Sequence, residues 1–562
     1  MNHKTTMTLL TIGVAVFASG CAVQPELAPS SYQQSFRPQL SYSPARNWMN
    51  DPNGLVYHDG EYHLFYQYNP NGSTWGDMSW GHAVSADLVH WQELPLALTV
   101  EKDGQGAVTQ MFFSGSVVVD EANTSGLGQP GRPAMIALYT SVYPQALEVA
   151  NGKSVRAGTQ AQSLAYSLDR GRSWTHYAGN PVIAQPPAPY MDEYREFRDP
   201  KVFWYEPEHK WVMVLALPNL RKALFYTSRD LLHWDWMSEF GPANAVGGAW
   251  ECPDLIELPV DGDAARSRWV LVMSLNPGGP AGGSGTQYFI GKFDGTTFAA
   301  VPQPQSADAG SSREPMVTTA RPSDLVQWLD YGADFYAAVS WNGVPGNRRI
   351  MIGWMNNWLY GQQVPTAPWR SAQSVPREVS LRTLDGRLRL VQQPVAELQR
   401  LRMELLYGAS ALSVPSGVQS MDPVVSEGGA MELEMRLKPG KARRAGVRLY
   451  SGAQGQEIEV GYDRELGILY LDRSRAGDNS FLPGFSKRQI APIPLRDGQL
   501  SLRILLDSAS VTVFAGEGET VLTSQMFPDP ATQGLSLFSE GASAELTDLK
   551  IWALSSIWAR PE

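Results

Sequence analysis

The stretch Asn47-Trp48-Met49-Asn50-Asp51-Pro52-Asn53-Gly54 runs directly into the apolar segment Leu55-Val56-Tyr57. It gathers an acid, asparagines, a tryptophan and two chain-turning residues at the mouth of a strand. Asp51 precedes a proline, which pushes its backbone toward the extended region, and Gly54 permits a sharp bend. These residue types also make ordinary turns, so the weight of the stretch lies in its recurrence. Arg198-Asp199-Pro200 precedes Lys201-Val202-Phe203-Trp204-Tyr205, and Trp250-Glu251-Cys252-Pro253-Asp254 precedes Leu255-Ile256-Glu257-Leu258. After each strand comes a polar turn and a second apolar run, at Tyr62-His63-Leu64-Phe65-Tyr66, Trp211-Val212-Met213-Val214-Leu215 and Trp269-Val270-Leu271-Val272-Met273. Ser85-Ala86-Asp87-Leu88-Val89-His90-Trp91 is echoed by Ser228-Arg229-Asp230-Leu231-Leu232-His233-Trp234. A repeat of short antiparallel strands is the sequence signature of propeller blades.

Blade starts fall at Asp51, at Phe113-Ser114-Gly115-Ser116-Val117, at Asp199, at Glu251 and at Phe335-Tyr336-Ala337-Ala338-Val339. The expected fold is therefore all-β, a five-bladed β-propeller over 38–393, whose acids converge on the central channel although distant in sequence. Pro394 to Leu405 carries a proline at a plausible first helical position and good helix formers, which predicts a linker helix over 394–407. Beyond it, period-two runs such as Met431-Glu432-Leu433-Glu434-Met435 and Val511-Thr512-Val513-Phe514 predict a two-sheet β-sandwich over 408–562.

The chain has 562 residues, 43% hydrophobic and 18% charged, an ordinary globular balance for more than one domain. A formal net charge of -11 without Lys/Arg clusters argues against nucleic acid as a partner. Lys4 and the apolar run Met7 to Phe17 read as an export signal over 1–20, too short to span a bilayer. That run ends in Ala18-Ser19-Gly20-Cys21, which resembles a bacterial lipoprotein box and implies lipid attachment at Cys21, a tether over 21–37 and an exported envelope lipoprotein, with Ala22 favouring the outer membrane and a periplasmic or secreted protein as the alternative. A membrane contact is expected only through that anchor. Of the two cysteines the second, Cys252, has no nearby histidine and reads as a small buried packing residue. The eight histidines are scattered, with His58, His63, His82 and His90 read as surface or strand-end residues, so neither a metal nor another cofactor is expected.

Taken in order, Trp48-Met49-Asn50-Asp51-Pro52-Asn53-Gly54, Phe113-Ser114-Gly115-Ser116, Arg198-Asp199-Pro200 and Glu251-Cys252-Pro253 resemble glycoside hydrolase family 32, the invertase, levanase and inulinase family, over essentially the whole mature chain. The resemblance implies the propeller and sandwich pair, Asp51 as nucleophile, Glu251 as general acid/base and Asp199 as a stabiliser holding fructose hydroxyls. It also implies substrate contacts at Trp48, Asn50, Gln67, Trp75, Phe113, Ser114 and Arg198, and a ring from either Trp354 or Trp358. The chemistry asks for such a set independently, because a retaining glycosidase needs one carboxyl to attack the anomeric carbon and another to protonate the leaving oxygen. On this reading Asp51 stays ionised among amide donors such as Asn50, Trp250 and Cys252 desolvate Glu251, and Arg198 keeps Asp199 charged. The expected activity is hydrolysis of terminal β-D-fructofuranosyl residues of levan, inulin and sucrose. Thr74-Trp75-Gly76-Asp77-Met78-Ser79-Trp80-Gly81-His82 looks more like the levanase and exo-inulinase branch, which tilts the substrate toward polymers. Two competing readings are a fructosyltransferase sharing the covalent intermediate and a non-catalytic fructan-binding surface lipoprotein. The latter predicts loss of at least one acid, and all three are present.

Overall fold

The computed structural model describes residues 32–149, 152–301, 326–421, 424, 429–452, 455–482, 484–529 and 531–559. Five antiparallel blades surround a channel. Their innermost strands are Asn47–His58, Val108–Asp120, Arg198–Tyr205, Ala249–Val260 and Tyr336–Ser340. The alternation read in the sequence is met here by strands packed on both faces, as in Lys210–Leu217, buried along its whole length between neighbouring blades. Blade five closes on blade one through backbone bonds, Asn342 donating to the Leu55 carbonyl and Tyr57 to that of Asn342.

All five innermost strands are interrupted at the same level. The ladder slips between Met49 and Pro52, Phe113 and Gly115, Arg198 and Lys201, Glu251 and Asp254, and Tyr336 and Val339. A bulge frees one backbone position from the ladder and re-aims its side chain, and it is also where a strand tolerates a proline. Pro52, Pro200 and Pro253 occupy three of these slips. Asp199, Cys252 and Ala337 carry positive φ of 67, 47 and 52 degrees, a conformation costly for residues with a side chain. Gly115 is required by space, since a Cβ there would stand 2.1 Å from the Leu138 carbonyl oxygen.

The expected linker helix over 394–407 is a single 3-10 segment, Ala396–Leu401, and Pro394 ends a strand instead of starting a helix. From Arg402 the chain is already the edge strand Arg402–Val414, held by the Arg402 guanidinium on Glu432 at 2.7 and 2.9 Å. Tertiary pairing overrides helix propensity there. The sandwich consists of two six-stranded sheets packed over an apolar core that includes Leu433, Val447, Ile504 and Leu537. Cys21 and most of the expected tether lie outside the described residues. The part of that segment inside them is docked: Tyr32 stacks on Trp558 at 3.8 Å, and the buried Arg37 guanidinium lies over Trp369 at 3.6 Å and donates to the carbonyls of Pro44 and Ala45. A sandwich arginine, Arg473, crosses to the propeller, where it pairs with Asp334 at 2.7 Å and donates to the Tyr360 hydroxyl at 2.9 Å, all of them buried.

Candidate active site

The slips bring together at one mouth of the channel residues that lie far apart in the chain. Asp51 is nearly buried, at 9% exposure, and its two oxygens differ. Oδ2 accepts from Ser114 Oγ at 2.8 Å and from Cys252 Sγ at 3.3 Å. Oδ1 is buried without a hydrogen-bond partner. Burial and then the Glu251 charge raise the Asp51 pKa, against the nearby donors of Ser114, Asn50 and Cys252, which lower it. The expectation that amide donors hold this carboxyl low is thus reversed in direction.

Asp199 lies beside it. The Cys252 amide donates to its Oδ2 at 2.9 Å, the Cys252 thiol stands 3.7 Å from the same oxygen, and its own amide donates to Thr140 Oγ1. Arg198 Nε is 3.8 Å away. Burial outweighs that guanidinium and pushes the Asp199 pKa up to about 7, so Arg198 does not keep it as firmly charged as expected. Glu251 is the most exposed of the three side chains, at 21%. Its Oε1 accepts from Arg198 Nη2 at 2.8 Å and Nε at 3.3 Å, and its Oε2 accepts from the Tyr336 hydroxyl. Trp250 does not cover Glu251; it points into the core between blades three and four, its Nε1 bonded to the Ala245 carbonyl. Arg198 is the hub of the cluster, gripping Glu196 at 2.5 Å and Gln160 at 3.2 Å on its other arm. Burial lowers its pKa, but Glu251, Asp199 and Glu196 together raise it, so the guanidinium is fully charged.

The remaining site residues divide by exposure. Trp75, at 40%, and the half-buried Phe113 meet edge to face at 5.9 Å on the rim. Trp48 and Trp354 are fully buried and offer no ring face to solvent, whereas Trp358, packed on both at 5.8 and 4.8 Å, is half-buried and outermost. Trp48 instead positions Asn50, its Nε1 donating to Oδ1 at 2.7 Å. Gln67 is buried and donates to the Phe112 carbonyl at 3.0 Å, tying blade one to blade two. Below the acids the channel is nearly shut: the space bounded by Pro52, Ser114, Gly115, Asp199, Cys252 and Val339 is only about 10 Å³. Among the described residues no cluster of three or more His, Cys, Asp or Glu is placed to hold a metal ion.

Two residues of this constellation escaped the sequence reading. Tyr336 sits in a run that reads as a plain strand, and only its place at a blade start hinted at it. Cys252 is buried as expected but touches both acids instead of merely filling space.

Residues 42–394 match the family model described as the glycosyl hydrolases family 32 N-terminal domain, and residues 397–553 match the corresponding C-terminal model. The chain is 44% identical to an extracellular exo-inulinase of Aspergillus awamori, over 94% of this chain and 96% of the relative. It is 42% identical to a levanase of Bacillus subtilis (strain 168), over 96% of this chain and 73% of that one. The crystal structure of the Aspergillus awamori exo-inulinase superposes with a TM-score of 0.85 at 43% identity, covering 94% of this chain and all of that one. A β-fructofuranosidase of Schwanniomyces occidentalis complexed with fructosyl-erythritol gives 0.73 at 28% identity, covering 93% and 99%. Relatives named as extracellular, from Aspergillus awamori and Meyerozyma guilliermondii, conflict with an outer-membrane lipoprotein and overturn that expectation.

Proposed function

The chain belongs to glycosyl hydrolase family 32 and is a fructan-hydrolysing glycosidase, and from that premise we propose that it releases terminal β-D-fructofuranosyl units with retention, Asp51 acting as nucleophile and Glu251 as acid/base. The observation that carries the assignment is the asymmetry of Asp51: one oxygen is fixed by Ser114 and Cys252, and the other is buried and free. A carboxylate held by one oxygen keeps the other aimed, which is the positioning that in-line attack requires. In the first step Asp51 Oδ1 bonds to the anomeric carbon while the bond to the leaving oxygen breaks, and the departing electron pair takes a proton from Glu251. In the second step water loses a proton to Glu251, its oxygen bonds to the anomeric carbon, and the Asp51 carboxylate departs.

Arg198 and Tyr336 fix the two oxygens of Glu251, which orients the proton for delivery. Asp199 contributes hydrogen bonds to the furanose hydroxyls, and with its pKa near neutrality it can donate as well as accept. The exposed Trp75 and the half-buried Phe113 and Trp358 supply the rings on which a fructosyl unit can rest, while Trp48 and Trp354 act from behind them. Levan, inulin and sucrose share the terminal unit this site would take. Proton NMR of the sugar first released from an inulin-type oligosaccharide tests the scheme. The β-anomer of fructofuranose should appear before mutarotation, and initial release of the α-anomer would exclude a fructosyl-enzyme on Asp51.

A further inference from the structure

A cavity of about 620 Å³ lies away from the acids, at the opposite mouth of the propeller channel. That is within the range of small-ligand sites, roughly 300–1,000 Å³. Lys201 separates the two ends. It borders both the closed space beneath the acids and this cavity, with its ammonium buried, 3.3 Å from Asp254 Oδ1 and donating to the Ser340 carbonyl at 2.6 Å. The Asn342 amide reinforces this partition by donating to the carbonyls of Val117 and Val202. Nothing bound at the far mouth can therefore touch Asp51 or Glu251.

The walls combine two kinds of group. Half-buried rings of Tyr57, Phe203, Trp204 and Trp269 line them, and the exposed carboxylates of Asp59, Glu121, Glu206 and Glu257 surround the rim. Deeper, beside Lys201, lies Arg349, whose half-buried guanidinium has no hydrogen bond, ion pair or ring contact among the described residues. A half-buried guanidinium whose donors face solvent and no protein acceptor is an open binding capacity. An anion would meet the rim carboxylates on entry, and a cation would meet Lys201 and Arg349 at depth. A neutral polyol suits both, because its hydroxyls accept from Arg349 and donate to the carboxylates while its C–H faces lie on the rings.

We propose that the far mouth of the propeller channel is a second, non-catalytic carbohydrate site, with Arg349 and the Trp204 and Trp269 rings as its main contacts. The choice of a fructosyl ligand rests on the fructan reading above, since the polymer on which the enzyme works is the polyol it meets at highest local concentration. Trp204 Nε1 is bonded to Glu206 at 2.5 Å, which fixes the indole as a platform.

The test is calorimetric titration of full-length Asp51→Asn protein, which cannot turn sugar over, with an inulin-type tetrasaccharide. Two binding events per chain are expected. Trp204→Ala or Arg349→Gln in that background should weaken one of them by about tenfold or more and leave the other, and either substitution in the otherwise unaltered enzyme should leave sucrose hydrolysis within about twofold. Glu257→Gln, a conservative change at an exposed rim position, checks the same site should either of the other variants fold poorly. Two events that persist through all three substitutions would overturn the proposal, as would binding of inorganic phosphate at this mouth without binding of sugar. A single event that Arg198→Gln abolishes and Arg349→Gln spares overturns it equally. Failure of the unaltered enzyme to cleave levan, inulin or sucrose would sink the catalytic reading instead, and would leave the count of sites at the far mouth unchanged.

Discussion

The innermost propeller strands and the sandwich strands are built from the same alternation of apolar and polar residues, yet they use it differently. In the sandwich, Leu500–Asp507 pairs with Ser510–Ala515 without a slip, and Ser510–Ala515 pairs with Thr520–Gln525 likewise. Side chains there alternate into one apolar core. In the propeller each innermost strand breaks its ladder at the level of the acids, and three of the five breaks carry a non-glycine residue at positive φ. The breaks give up ladder hydrogen bonds and accept backbone strain, and in exchange polar side chains turn into the channel. Chemistry sits where regularity was given up, and substitutions in the two regions should fail in different ways.

The largest effect is expected at Asp51. Asp51→Asn replaces the attacking carboxylate with a neutral amide, so every substrate should lose about four to six orders of magnitude in kcat while the folding transition barely moves. Chemical denaturation measured beside single-turnover rates checks both halves. A fall in stability on the scale of a buried ion pair would mean that the carboxylate supports the fold instead of the reaction. Glu251→Gln should be as damaging on sucrose, where the leaving group is a poor sugar alcohol, and less so on an activated aryl β-fructofuranoside, which departs without a proton. Deglycosylation still lacks its base, so azide should restore turnover by attacking the intermediate directly. Equal impairment on both substrates with no burst of aryl alcohol would remove Glu251 from the acid/base role.

The contrast also explains what was legible in the sequence. Asp51, Asp199 and Glu251 could be found because Pro52, Pro200 and Pro253 follow at or next to the break, and a proline heading an apolar run is unusual enough to be read. The fifth break has no such marker: Ala337 adopts a positive φ without glycine or proline beside it, so Tyr336 stayed hidden in an ordinary strand. Cys252 was seen as buried, but which groups it touches is settled by the convergence of blades one, three and four. His63 and His82 read as surface or strand-end residues because the histidines are scattered without ligand spacing, whereas the blade stack buries both completely. The sandwich fold followed from period two, but its first strand begins at Arg402, ahead of the expected start at 408, since Glu397 to Leu405 are good helix formers held extended from Arg402 onward by Glu432.

A smaller effect, and one that crosses between the regions, is expected at Arg473. Its guanidinium reaches from the sandwich to Asp334, two residues before Tyr336. Arg473→Met leaves a buried carboxylate unpaired, so stability should drop by about 3–5 kcal/mol, read as a lower denaturation midpoint. Activity per folded molecule should stay within about tenfold of the parent, because the break at Ala337 and the bond from Tyr336 to Glu251 lie beyond the lost contact. A loss approaching that of Glu251→Gln would mean that the sandwich sets the geometry of the acid/base directly.

The smallest effect concerns the regular part of the propeller itself. In the second and third strands of blade one, His63 Nδ1 and His82 Nε2 lie 3.0 Å apart against Phe65, both rings buried. One ring must donate and the other accept, so the two cannot both be charged, and burial favours the neutral form of each by lowering its pKa, that of His63 to about 4. The unfolded chain takes up protons near the ordinary histidine value of 6.5, before the folded one does. The stability that this pair contributes is therefore complete above about pH 6.5 and is lost as pH falls toward 4. With roughly 1.4 kcal/mol per pKa unit, the His63 contribution is on the order of 3 kcal/mol at the acid end. Glu61, 3.8 Å from His63 Nε2, offsets part of that on protonation. Denaturation midpoints taken every half pH unit between 4 and 7 should fall steadily in the parent and less steeply in His82→Gln, by about one proton's worth of slope. Because the pairing between Glu61–Asn69 and Ser79–Ser85 that joins the two rings has no slip and neither ring contacts the acids, the pH profile of kcat should be the same in both proteins. A parallel shift of the activity profile in His82→Gln would mean that blade one transmits its protonation to the site, and parallel stability slopes would mean that these rings are charged or solvated in the folded protein.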